Sequence, residues 1–138
     1  MHTENNLSTI IQYFITHNIT ISSAESCSGG LISKMITDIP GCSAIYPGGV
    51  CAYSNEMKIK WLNVKSSTLE QYGAVSAETA LEMAQGIRNV TGSDYGISTT
   101  GIAGPGGGSV KKPVGLVYIA VVGPNYQRVE KLPLNPNI

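Results

Sequence analysis

The sequence predicts an α/β protein, a three-layer α/β/α sandwich around a mostly parallel mixed sheet. Two observations lead there. Segments with apolar residues at helical spacing alternate along the chain with short strand-like runs. The longest apolar stretch, residues 114–122, is far too short to span a bilayer and reads as a buried strand. A length of 138 residues suits one domain with a real core, and no repeat or linker divides it.

Leu7, Ile10, Ile11, Phe14 and Ile15 recur at helical spacing and define an opening amphipathic helix that ends near Asn18. Residues 19–23 read as a short strand, and 31–37 as a helix stopped by Asp38-Ile-Pro-Gly41. Residues 50–53 form the second strand, and Ser54 caps a helix over 55–62. Ser67 and Glu70 fit a capping box for a short helix that stops at Gly73. Ser76 opens a longer helix with Ala80, Met83, Ala84 and Ile87 on one face and Gly92 beyond its end. Residues 95–99 are strand-like, 100–109 form a glycine loop, 113–122 give the strongest strand, and 127–132 a final edge strand.

Composition narrows the function. Nine basic and nine acidic residues cancel, and no basic stripe with aromatics appears, which argues against nucleic acid as a partner. Lys111, Lys112, Arg128 and Lys131 against Glu130 give the last thirty residues a local excess of positive charge, a solvated surface or an attraction for a small anion. The N-terminus runs into an amphipathic pattern rather than an apolar signal core, so neither membrane nor secretion is expected, and the expected location is cytoplasmic. Cys27, Cys42 and Cys51 have neither disulfide nor zinc spacing, and the carboxylates are too few and scattered for a metal site.

Three segments carry candidate chemistry. In Ala24-Glu-Ser-Cys-Ser-Gly-Gly30 a serine sits at a strand-to-helix turn, either as an N-cap or as a nucleophile beside the backbone N–H groups of the next helix. In Tyr53-Ser-Asn-Glu-Met-Lys58, Asn55 and Lys58 share a face of a helical first turn. Lys58 is either a solvated lysine or a base; the second role requires burial to lower its pKa by roughly three units. In Thr100-Gly-Ile-Ala-Gly-Pro-Gly-Gly-Gly-Ser109, successive glycines expose backbone N–H groups at the end of a strand, as a connecting loop or an anion site. His2 and His17 are poorly placed for a histidine-dependent triad, so a hydroxyl nucleophile here must pass its proton to lysine or tyrosine. Cys27 is the rival nucleophile, without an obvious base.

Together with Gly49-Val-Cys-Ala-Tyr53, Gly73-Ala-Val-Ser76 and Lys112-Pro-Val-Gly115, these segments resemble the CinA C-terminal family, which includes nicotinamide mononucleotide deamidases. The resemblance implies hydrolysis of the amide of nicotinamide mononucleotide to nicotinate mononucleotide and ammonia, without metal or organic cofactor, by a homodimer. It makes Ser26 the nucleophile, Lys58 its base and Tyr53 a proton relay. Gly41, Asn55, Thr100, Gly101 and Gly104 become the substrate-binding positions. The family's pattern continues past the last strand into a closing helix with an arginine. Residues 134–138 read Leu-Asn-Pro-Asn-Ile, so residues 1–138 are expected to be a single domain without that helix. The alternative reading is a non-catalytic CinA-like domain that binds a nucleotide or a partner.

Overall fold

The computed structural model describes residues 3–102, 108–109 and 112–133. Its elements are α1 (Thr3–His17), β1 (Ile21–Glu25), α2 (Leu31–Thr37), a 3-10 turn at Cys42–Ala44, β2 (Gly49–Cys51), α3 (Asn55–Leu62), α4 (Ser66–Tyr72), α5 (Ala77–Thr91), β3 (Tyr95–Gly101), β4 (Leu116–Gly123) and β5 (Tyr126–Pro133). The strands pair in the order β2-β1-β3-β4-β5. β1 lies parallel to both β2 and β3, while β4 is antiparallel to β3 and to β5. Four strands therefore run one way and β4 alone runs the other, the mixed sheet that the sequence predicts.

The chain leaves β1 through α2 to reach β2 on one side, then returns through α3, α4 and α5 to β3 on the other. Right-handed crossovers in opposite directions place their helices on opposite faces of the sheet, which makes three layers. Ile11, Ile21, Ile36, Ile39 and Ile45 fill the space between the sheet and α1–α2. Ala24, Ala52, Leu62, Val64, Met83 and Ile87 fill the space under α3 and α5. Ala80, Met83, Ala84 and Ile87 are all buried, as the periodicity predicts. Ile10 is half exposed and joins Tyr13, Phe14 and Tyr126 around an apolar groove of about 630 Å³ on the α1–α2 face.

Three helix starts contrast. Ser54 and Ser76 accept from Met57 N and Thr79 N and cap α3 and α5. The capping box at Ser67 and Glu70 does not form: α4 begins at Ser66, with Lys65 at its cap. Glu82 of α5 does that work from a distance. Its carboxylate accepts from Lys65 N at 2.9 Å and from Thr68 Oγ1 at 2.6 Å.

α3 packs very closely on α5, because Gly86 presents no side chain to it. A Cβ at Gly86 would stand 2.0 Å from the carbonyl oxygen of Leu62. Gly86→Ala is therefore expected to push α3 off α5 and to destabilise the protein by about 1–3 kcal/mol, despite the better helix propensity of alanine. Urea unfolding of the variant beside the parent measures this; an unchanged or higher midpoint would contradict the close packing.

Candidate active site

The carboxyl ends of β1, β2 and β3 meet at one edge of the sheet, where open α/β sheets bind ligands. Ser26 directly follows β1, and its backbone N–H donates to Thr99 O of β3 at 3.1 Å. Side chains alternate across a strand, so consecutive residues here serve opposite layers. Ala24 packs with Leu62 and Met83, and Ser26 turns to the same side. Ser23 and Glu25 turn to the α2 side, where they meet Ser33.

Lys58, in the first turn of α3, is buried to 1% exposure. Its Nζ lies 3.0 Å from Ser26 Oγ, 3.0 Å from Ala52 O and 2.8 Å from Tyr53 O. Both carbonyls can only accept, so each must receive an N–H. A neutral amine has two N–H groups and one lone pair. Once the carbonyls take the two donors, the lone pair is left for the Ser26 hydroxyl. Burial lowers the Lys58 pKa from its ordinary value, and the nearby Cys27 and Cys51 oppose this only in part. No carboxylate forms an ion pair with it among the described residues.

Glu25, also buried to 1% exposure, is the organising group that the sequence reading missed. Its Oε1 accepts from Ser28 Oγ at 2.7 Å, Gly30 N at 3.2 Å and Ile32 N at 2.8 Å. Its Oε2 accepts from Ser33 N at 2.9 Å and Ser33 Oγ at 2.8 Å. Burial alone would raise its pKa, but the bonds from Ser28, Ser33 and Ile32 outweigh that and hold it below the usual carboxylate value. A signal existed in the sequence: an acid before a serine- and glycine-rich turn, with no lysine or arginine up to Lys34 to answer it. This corrects one expectation. The first-turn N–H groups of α2 are not open to an oxyanion, because Glu25 takes those of Ile32 and Ser33 and Ser28 O takes that of Leu31. Of the N–H groups from 26 to 33, that of Ser28 has no acceptor among the described residues, and that of Cys27 meets only its own sulfur.

The other candidates fall in several places. Tyr53 meets Lys58 through its carbonyl, while the residue as a whole is 76% exposed. Asn55 is exposed at the start of α3, so the shared helical face divides into a buried lysine and a solvated amide. The Thr100 hydroxyl donates to Ala74 O at 2.7 Å and is buried; its neighbour Thr99 meets Ser28, with 2.6 Å between the hydroxyl oxygens. Gly101 ends β3 against β4, where a Cβ would stand 2.6 Å from Leu116 O. Gly41 has φ 88° at the start of the 3-10 turn, in contact range of Ile15 on the α1 side of the sheet. Gly104 and most of the glycine loop lie outside the described residues. Cys27 is half-buried, and burial pushes its thiol pKa up, away from the thiolate. His17 stacks on Tyr13 at the end of α1.

A strand-end serine beside a buried lysine that forms no ion pair among the described residues defines a candidate serine–lysine site on an α/β sheet. The family model of the CinA C-terminal domain matches residues 4–137, and the chain belongs to that family. Among curated relatives it is 58% identical over 107 residues to a CinA-like protein of Desulforapulum autotrophicum, covering 78% of this chain and 25% of that one. A CinA-like protein of Fervidobacterium nodosum is 52% identical over 116 residues, covering 84% of this chain and 28% of that one. The chain thus spans about a quarter to a third of the curated relatives it matches. The crystal structure of the competence/damage inducible protein CihA from Agrobacterium tumefaciens superposes with a TM-score of 0.94 at 39% identity, over 99% of this chain and 84% of that one. A CinA superfamily protein from Escherichia coli gives 0.91 at 30% identity, over 96% of this chain and 77% of that one. No helix among the described residues is long and apolar enough to cross a membrane, and no group of side chains among them could hold a metal ion.

The lowered Lys58 pKa has a sign that can be checked. Between that lowered value and 10.5 the unfolded chain holds a proton that the folded chain lacks, so stability rises with pH across the window. Relative to Lys58→Met, the parent should gain at most about 1.4 kcal/mol per pH unit there. Urea unfolding of both proteins from neutral pH towards 10.5 reads the slope; parallel profiles would mean that Lys58 keeps its ordinary pKa.

Proposed function

We propose that this chain is a serine–lysine amidohydrolase that converts nicotinamide mononucleotide to nicotinate mononucleotide and ammonia. The observation that carries the chemistry is Lys58 Nζ, desolvated and tied to two carbonyls, 3.0 Å from Ser26 Oγ. The substrate is carried by the resemblance to the deamidase members of the family. In the first half-reaction Lys58 takes the hydroxyl proton as Ser26 Oγ bonds to the carboxamide carbon. The oxyanion is met by backbone N–H groups of the turn, for which Cys27 and Ser28 supply the donors left over from Glu25. The C–N bond then breaks, and ammonia leaves with the proton that Lys58 returns. In the second half-reaction a water loses a proton to Lys58 and attacks the ester carbon, and Ser26 departs as the hydroxyl. The mononucleotide is the small-molecule partner, and on this reading the enzyme is a cytoplasmic homodimer.

The decisive assay is ammonia release from nicotinamide mononucleotide. The parent should turn over, while Ser26→Ala and Lys58→Ala each lose about three orders of magnitude with the fold intact. Parental kcat/KM should rise with pH to a midpoint below 10.5, where Lys58 loses its proton. Binding of the mononucleotide without turnover would favour the non-catalytic reading, and full turnover by Ser26→Ala would move the nucleophile elsewhere.

A further inference from the structure

Glu25 and Lys58 are the two fully buried charged side chains among the described residues, and the chemistry above uses only Lys58. A carboxylate with five donors is far more than a short helix cap needs. Two of those donors, Ser28 Oγ and Gly30 N, belong to the turn that begins at Ser26, and three belong to α2.

The direction of the bonds matters. An ionised carboxylate only accepts, so the single Ser28 proton must point at Glu25. The contact between Ser28 Oγ and Thr99 Oγ1 at 2.6 Å then has one arrangement, with Thr99 as donor. The backbone carbonyl of the same Thr99 receives Ser26 N at 3.1 Å. On the other side of the serine, Gly29 N donates to Ser26 O at 3.2 Å, and the next residue, Gly30, is bonded to Glu25. Ser26 is thus held from both sides by groups that converge on one carboxylate. That carboxylate faces the α2 layer, while the serine hydroxyl faces Lys58.

We propose that Glu25 is a positioning residue: its carboxylate fixes the turn at 26–30 and Thr99 so that Ser26 Oγ stays within reach of Lys58 Nζ. The proposal rests on the reading of Ser26 as nucleophile. No close substitute does the same work. A glutamine would place an NH2 against the Oε1 donors or the Oε2 donors, leaving at least one backbone N–H without an acceptor and forcing a serine hydroxyl to turn, and an aspartate is one methylene short. A helix cap alone would predict lost stability but unchanged Ser26 reactivity in whatever protein remains folded. Positioning predicts lost reactivity in the folded protein.

The test is the rate of covalent labelling of Ser26 by a fluorophosphonate, with the site read by mass spectrometry. In this step Ser26 Oγ bonds to phosphorus, fluoride leaves and Lys58 takes the proton, so no amide substrate is involved. Parent, Glu25→Gln and Ser28→Ala are compared where circular dichroism shows each to be folded. Glu25→Gln should label about 10²-fold more slowly, the scale of a misplacement of roughly 1 Å. The pH midpoint of labelling should stay where the parent has it, because Lys58 remains buried. Ser28→Ala cuts the link between Glu25 and Thr99 but keeps the other four bonds, and should slow labelling about tenfold. If Glu25→Gln does not fold, Ser28→Ala carries the comparison. A parental rate in either folded variant would overturn the proposal. So would a midpoint moved up towards 10.5, which would mean that the site had opened to water. A parent that labels elsewhere or not at all overturns the nucleophile reading, and the Glu25 proposal with it.

Discussion

An amine buried with no counter-ion among the described residues is the constraint on which the rest of the site depends. Lys58 is desolvated under α3, and among the described residues its hydrogen-bond partners are two carbonyls and a hydroxyl, with the Cys27 and Cys51 thiols nearby. Taking an ammonium out of water costs free energy that such dipoles return only in part, so burial lowers the Lys58 pKa from its ordinary value. Everything that holds α3 in place serves this end. Ser54 caps its start, and Gly86 lets its last turn approach the α5 backbone. The chain enters α3 from β2, whose following residues Ala52 and Tyr53 supply the two carbonyls.

The alternation of a strand keeps an acid and a base apart although they act one residue from each other. Glu25 and Ser26 are adjacent in sequence and point to opposite layers. If the carboxylate shared the Ser26 face, it would pair with Lys58, hold the proton on the amine and remove the base. Instead its charge is taken up by N–H groups of α2 and by two serine hydroxyls. A one-residue slip of β1 would exchange the two roles, so the apolar residues that fix its register, Ile21 towards α1–α2 and Ala24 towards α3 and α5, also fix the chemistry.

Much of this was readable in the chain. The bounds of α2 and α3 coincide with the predicted ones, because each has a clear periodic run between strong stop signals. The Ser67–Glu70 capping box failed for an instructive reason: local capping competes with tertiary donors and acceptors, and Glu82 from α5 reached Lys65 N and Thr68 first. The sequence reading singled out Thr100, whereas Thr99 is the threonine that meets Ser28, because that choice depends on strand phase. The phase is set by β3 pairing with β1 at Ser98–Ala24 and Thr99–Glu25. Tyr53 shows the same limit in another form, since its carbonyl faces Lys58 while the residue as a whole is exposed.

The sequence by itself determined the α/β class and the order of its elements, and it offered Ser26 and Lys58 as candidates that the family resemblance then singled out. The class and the order follow from periodicity and caps, which act over a few residues. Only the tertiary structure decided which face each side chain takes, that Lys58 is dry, and that Glu25 rather than an open helix end occupies the N–H groups of α2. Desolvation and hydrogen-bond direction depend on atoms distant in the chain, 32 positions apart for Ser26 and Lys58 and 71 for Ser28 and Thr99, and only packing brings those atoms together.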